Sequence, residues 1–303
     1  MSRLSLAVGT PLCAMVAMTA GVDGQQYGPP RGALVVSGGA PTTTHIIDRF
    51  IELAGGPDAP IVVVPTSGGE DHYDQSCACL EPFRRAGAHN LTVLHTRERA
   101  VANTDAFVVP LRSARGVWFE EGNSWRHQDA YLDTKVQSEL FALLDRGGVV
   151  GGGSAGARIQ GDYLPLRSTE PAERAIPEKD WRRGFRLLKN VIIDPHVLVR
   201  NRQFDLVVMV NEHPDMLGIG IDENTAIVVQ GDRFEVVGTT YVLIYDNRSH
   251  IVPEGPGTDG AGRGHFYFLR PGDTFDMATR EAFRPGSGRQ PFVRVARRPW
   301  QDE

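Results

Sequence analysis

The run Gly147-Gly-Val-Val-Gly-Gly-Gly-Ser-Ala-Gly-Ala157 constrains this chain more than any other stretch. An apolar strand ends in a turn almost without side chains. One hydroxyl stands at its tip, and small residues open a helix directly behind it. Glycine is required because such a turn needs positive φ and brings strand and helix backbones close together. The spacing Gly152-x-Ser154-x-Gly156 is that of a nucleophile elbow, which exposes a serine hydroxyl at the end of a sheet strand. Amide N–H groups at the helix start would face an oxyanion formed beside Ser154. Glycine-rich strand–helix turns also bind phosphate or simply pack, so a purely structural turn stays open.

The elbow sits in a repeating pattern. Ala33–Ser37 reads as a strand ending in Gly38-Gly39, followed by a helix through Ile46, Ile47, Phe50 and Leu53. Pro60–Val64 is apolar on both faces, as in a central parallel strand, and ends at Pro65–Gly69. A helix around Cys79–Ala88 leads to strands at Leu91–Leu94 and Gly116–Phe119. One helix over Ala130–Arg146 places Leu132, Val136, Leu140, Leu143 and Leu144 on one face before Val149-Val150. Strand, glycine turn and helix in alternation predict an α/β fold, a doubly wound, mostly parallel sheet with helices on both faces. Sites in such sheets form beyond the carboxyl ends of strands, where Gly38-Gly39, Thr66–Gly69, Glu120–Asn123 and Ser154 all fall. Further on come a strand Val191–Ile193, a helix through Phe204–Val210 and a strand Leu217–Ile221. From about Ala226 the chain reads as β-rich, with strands at Ala226–Val229, Phe234–Val237, Tyr241–Tyr245 and His265–Leu269.

Three regions follow: residues 1–24, an α/β domain over 27–250, and a β-rich C-terminal extension and tail over 251–303 packed on that domain. The first resembles a secretory signal peptide. Met1-Ser-Arg3 is a short basic start, Leu4 to Ala20 carries no charge, and Gly21–Gly24 leads into polar Gln25-Gln26. Gly9 and Pro11 interrupt an apolar stretch already too short for a stable span. The expected location is secreted or periplasmic, with no membrane association after cleavage. A net charge of −5 leaves no basic surface for nucleic acid. Beyond the leader the cysteines are Cys77 and Cys79, read as half-buried thiols because a one-residue gap disfavours a local bridge. No Cys or His partners stand at zinc spacing, so no metal site is expected.

A serine nucleophile needs a base, and the base an orienting carboxylate. Of the nine histidines, His196 directly follows an apolar strand, in Ile193-Asp194-Pro195-His196. His89 and His127 lie in polar helical stretches and read as surface residues. Asp222 and Glu223 stand where the strand Gly218–Ile221 ends, and either fits. A histidine or a turn carboxylate in such places is as readily structural.

The chain resembles the cyanophycinase and dipeptidase E group of serine peptidases from about Gly32 to Gly238. The motifs that carry the resemblance, in order, are Val36-Ser-Gly-Gly39, Phe50-Ile-Glu-Leu-Ala-Gly-Gly-Pro-Asp58, Ile61-Val-Val-Val-Pro-Thr66, Gly153-Ser-Ala-Gly-Ala157, Asp194-Pro-His196 with Arg200-Asn-Arg202, and Gly218-Ile-Gly-Ile-Asp-Glu-Asn-Thr-Ala226. The resemblance implies a class I glutamine-amidotransferase-like fold and a Ser–His–Glu triad. By motif the triad falls on Ser154, His196 and Glu223, at spacings that suit the cyanophycinase branch. It implies an acyl-enzyme mechanism without metal or organic cofactor. Oxyanion donors would come from Ala155 and the Glu121-Gly122 turn. The implied substrates are cyanophycin, a poly-aspartate carrying arginine on each β-carboxyl, or short aspartyl peptides. Both present carboxylates, for which Arg200, Arg202 and, beside the oxyanion turn, Arg126 are candidate binding residues.

Departures from the family pattern concentrate near the pocket. The usual Gly-Gly-x-Gln turn reads Glu121-Gly122-Asn123-Ser124, Pro195 replaces a frequent glutamine, and Asp205 stands where a third arginine is expected. They favour an altered pocket, and leave open an aspartyl dipeptidase or a catalytically silent peptide- or polymer-binding protein. An α/β-hydrolase esterase would instead use Ser154, Asp222 and His250 or His265. A homodimer is compatible with the chain.

Overall fold

The computed structural model describes residues 26–39, 44–165, 171, 174–247 and 266–286. The leader expected over 1–24, His250 and His265 therefore lie outside the described residues, as does most of the expected extension. The first half of the chain builds five parallel strands: β1 (Ala33–Ser37), β2 (Ile61–Val64), β3 (Leu91–Val93), β4 (Gly116–Phe119) and β5 (Val149–Gly153). They lie side by side in the order β1-β5-β4-β2-β3. Every residue of β1, β2, β4 and β5 is buried, as a strand covered on both faces requires. Alternation along each strand feeds two separate cores. Leu34, Val36, Val117, Phe119 and Val150 pack to one side, while Ala33, Val35, Trp118 and Val149 pack to the other. On the second face the helix Thr44–Ala54 brings Phe50 edge-on against Trp118 and Phe83.

The register aligns the strand ends that matter. Val36 pairs with Gly152, and Gly152 also pairs with Phe119. The turns after β1, β4 and β5 thus meet at one edge.

The second half departs from a single wound sheet. β6 (Val191–Pro195) and β7 (Leu217–Ile221) pair in parallel in a separate four-stranded sheet. The chain then returns to the first sheet: β8 (Thr225–Gln230) runs antiparallel to β1, and β9 (Arg233–Gly238) antiparallel to β8. β10 (Val242–Tyr245) and β11 (Tyr267–Leu269) complete the small sheet in the order β11-β10-β7-β6. β12 (Thr274–Asp276) and β13 (Glu281–Phe283) extend the large one to nine strands, β13-β12-β9-β8-β1-β5-β4-β2-β3. The fold is mixed α/β, with a mostly parallel core and a β-rich C-terminal part.

Two local expectations are corrected. The single helix over 130–146 is two, Ser124–Tyr131 and Lys135–Asp145. Asp133 takes a left-handed φ of 55° and breaks the helical path between them. Cys77 and Cys79 are not free thiols: they form a disulfide. A tight turn over Ala78–Leu80 folds the chain back and brings their Cα atoms within 5.1 Å, inside bridging range. No helix among the described residues is long and apolar enough to cross a membrane.

Candidate active site

Ser154 stands at the tip of β5 with φ 50° and ψ −106°, a backbone conformation that non-glycine residues rarely adopt. Its N–H donates to the Ser37 carbonyl at 3.1 Å, and its own carbonyl accepts the Arg158 N–H at 2.9 Å to start the helix Ala155–Arg158. A Cβ on Gly156 would lie 2.0 Å from the Phe119 carbonyl oxygen, so the elbow closes only around glycine. The hydroxyl sits in a nearly enclosed place, with the residue 8% exposed.

His196 follows β6, also with positive φ, at 56°. Its N–H donates to the Gly38 carbonyl at 2.9 Å, and its ring lies against Gly39, where a Cβ would come within 2.2 Å of Cε1. The imidazole Nε2 is 2.7 Å from Ser154 Oγ, and Nδ1 is 2.7 Å from Glu223 Oε1. A carboxylate only accepts, so Nδ1 carries the proton and Nε2 is free to accept from the serine hydroxyl. The adjacent acid does something else. Asp222 Oδ1 accepts the N–H groups of Leu198 and Val199, both at 3.0 Å, and braces the loop behind His196. Geometry thus separates two carboxylates that the strand-end pattern left equivalent.

Burial pushes the His196 imidazole below its ordinary value, and the Arg200 charge acts in the same direction. The hydrogen bond to Glu223 and the negative charges of Glu121 and Glu223 oppose them. The ring is therefore a neutral acceptor near pH 7.

The turn Glu120–Asn123 flanks the elbow. The Glu121 carboxylate lies against Gly153, 3.0 Å from where a Cβ there would stand. Ser67 Oγ reaches the carbonyls of Glu120 and Glu121, each at 2.7 Å, and the Asn123 N–H donates to the Ser67 carbonyl at 2.9 Å. Gly122 is exposed at the crest of the turn, and Ala155 is buried just behind Ser154. Burial, reinforced by the charge of Glu121, pushes the Glu120 carboxyl up to about 8. A cavity of about 470 Å³ opens on this side, with Glu120, Glu121, Cys77 and Cys79 in its wall.

The remaining expected residues are placed differently from one another. Arg200 is exposed and Arg202 half-buried on the turn behind His196. Arg126 donates to the carbonyls of Ser67 and Gly68, which ties its guanidinium to the β2 turn. His89 is exposed, but His127 is fully buried rather than on the surface. Its Nε2 lies 3.2 Å from the Glu120 carbonyl oxygen, and burial lowers its pKa to about 4. The polar look of its helix misleads because that helix is buried by polar partners. Gln128 donates to the carbonyls of Asp180 and Trp181, and Asp129 pairs with Arg174 at 2.8 Å. Sequence reading gave no role to Arg158 or to Asp194, which form a buried ion pair at 3.0 Å beneath the serine and the histidine. A cation among Ala-Gly-Ala and an acid inside an apolar strand were the available signals.

The model of peptidase family S51 matches residues 33–237. A cyanophycinase from Geminocystis herdmanii is 32% identical over 231 residues, covering 72% of this chain and 82% of the relative. A cyanophycinase from Nostoc sp. strain PCC 7120 is 32% identical over 263 residues, covering 82% and 86%. Among solved structures, a peptidase from an acI-B1 actinobacterium superposes with a TM-score of 0.61 at 22% identity, covering 82% of this chain and 98% of its own. A putative peptidase E from Listeria monocytogenes gives 0.52 at 14% identity, covering 69% and 100%; at these identities the two share the fold. Fold, family model and relatives together define a serine-type peptidase, an exopeptidase. The chain belongs to peptidase family S51, and it is similar to the cyanophycinases.

Proposed function

We propose that the protein hydrolyses aspartyl amide or isopeptide bonds through an acyl-enzyme on Ser154, with His196 as base and Glu223 as its orienting carboxylate. The observation that supports this most is the unbroken line of two 2.7 Å contacts, Ser154 Oγ to Nε2 and Nδ1 to Glu223. The hydroxyl oxygen attacks the substrate carbonyl while Nε2 takes its proton, and Glu223 stabilises the resulting imidazolium. Amide N–H groups of Ala155 and of the Glu121-Gly122 turn receive the oxyanion, each donor worth about 10²–10³ in rate. The imidazolium then protonates the leaving amine as the C–N bond breaks, leaving the acyl group on Oγ. Water, deprotonated by the same nitrogen, releases the acid and restores the serine.

The substrate proposed is a cyanophycin-like polymer, from which β-aspartyl-arginine would be released, as the names of the relatives suggest. Arg200 and Arg202, on the turn behind His196, are the residues proposed to bind its carboxylates. Glu121 beside the elbow favours a second reading, short aspartyl peptides, because a carboxylate there reshapes the pocket on the Ser154 side. Residues 1–24 are proposed as an export signal, which N-terminal sequencing of the mature protein tests.

Purified protein is incubated with cyanophycin and with a panel of α- and β-linked aspartyl peptides beside Ser154→Ala. Hydrolysis that falls by about 10⁴ or more in the variant is expected. Absence of any amide hydrolysis by the wild type overturns the peptidase reading, and cleavage of α-linked peptides alone selects the dipeptidase one.

A further inference from the structure

The residues of the proposed triad belong to two different sheets. Ser154 directly follows β5 in the nine-stranded sheet, whereas His196 directly follows β6 in the four-stranded one. Glu223 lies on the crossing from β7 back to β8. Strand pairing within either sheet does not set the distance from Oγ to Nε2. That distance depends on what spans the gap.

Backbone ties cross at the Gly38-Gly39 turn: His196 N–H to the Gly38 carbonyl at 2.9 Å and Asn224 N–H to the Gly39 carbonyl at 3.3 Å. A side-chain ion pair crosses as well. Arg158 Nη2 donates to Asp194 Oδ1 at 3.0 Å, with side chains 7% and 0% exposed. Arg158 stands one helical turn after Ser154 and hydrogen-bonds its carbonyl. Asp194 lies in β6, two residues before His196, which directly follows that strand. The pair therefore joins the immediate support of the hydroxyl to the immediate support of the imidazole.

We infer that Arg158 is a positioning residue of the S51 site, holding the end of β6 against the elbow helix so that Nε2 stays within hydrogen-bond reach of Ser154. Burying two charges is costly, and well-packed apolar residues often stabilise as well or better. A pair placed only for stability is replaceable; a pair that fixes a sub-ångström alignment is not. The inference rests on the proposed roles of Ser154 and His196.

The variants are Arg158→Lys, Arg158→Met, and the double variant Arg158→Met/Asp194→Leu, which removes both charges of the pair. Two readouts are taken on the folded proteins. Labelling of Ser154 by a fluorophosphonate, with kcat and KM on a peptide the wild type cleaves, reports reactivity. Imidazole 15N NMR reports the His196–Ser154 hydrogen bond whether or not the protein turns over. The double variant is expected to label about 10- to 100-fold more slowly, with kcat reduced in parallel and KM within about twofold. Arg158→Lys is expected to recover part of that loss, and the Nε2 hydrogen-bond signature to weaken in Arg158→Met. Unchanged labelling and unchanged 15N shifts in variants that fold overturn the role of Arg158. Wild-type protein that neither labels nor hydrolyses overturns the hydrolytic reading instead, and the NMR comparison still decides whether Arg158 positions the ring.

Discussion

At the scale of single residues, His196 carries the sharpest expectation. Burial and Arg200 hold its pKa below the ordinary 6.5, and its unprotonated form is the one able to accept from Ser154. Activity should persist into mild acid and fall as pH drops through a midpoint below 6.5, read from kcat/KM against pH. Arg200→Gln removes a positive neighbour and should move that midpoint up. Glu121→Gln removes a negative one and should move it down. An unmoved midpoint in both variants would mean that these charges do not reach the ring. How much of this was visible beforehand differs from residue to residue. Ser154 and His196 were legible because a glycine elbow and a strand end each leave a local mark. Asp222 and Glu223 were separable only through the family motif, since both end the same strand. Burial of His127 was hidden because Gln128 and Asp129 are satisfied by Asp180, Trp181 and Arg174, some 45 to 53 residues away in sequence.

At the scale of elements, the turns matter more than the strands they end. Gly39 combines φ of +137° with the imidazole packed where a side chain would begin. Gly39→Ala must push the ring aside, and a displacement of about 1 Å costs on the order of 10² in rate. The expected outcome is a large fall in kcat with KM little altered and an unchanged far-UV circular dichroism spectrum; a near-normal kcat would refute it. The parallel strands were readable from the apolar runs, because burial on both faces leaves no alternation to misread. Their assignment to sheets was not. β6 and β7 are as fully buried as β1 and β5, so burial on both faces is silent on which neighbour covers them. The helix break at Asp133 and the Cys77–Cys79 bridge depend on local backbone paths that composition does not encode.

At the scale of the molecule, the C-terminal strands close both sheets, β11 the smaller and β12–β13 the larger. They bring Leu269, Phe275 and Met277 into full burial in the core shared with β9 and β10. Each such side chain contributes about 1.5–3 kcal/mol, against a total stability of about 5–15 kcal/mol for a typical domain. A chain ending at Asn247 should therefore lack a cooperative thermal transition or be recovered insoluble. A sharp transition near that of the full chain would show the peptidase core to be self-sufficient.

The bridge between Cys77 and Cys79 forms part of the wall of the cavity that Glu121 also lines. Disulfides persist in oxidising surroundings and are rare where thiols are kept reduced. The contour of that cavity is thus coupled to the chemistry of the compartment: the same polypeptide, made where glutathione prevails, would carry a differently shaped hollow beside Glu121.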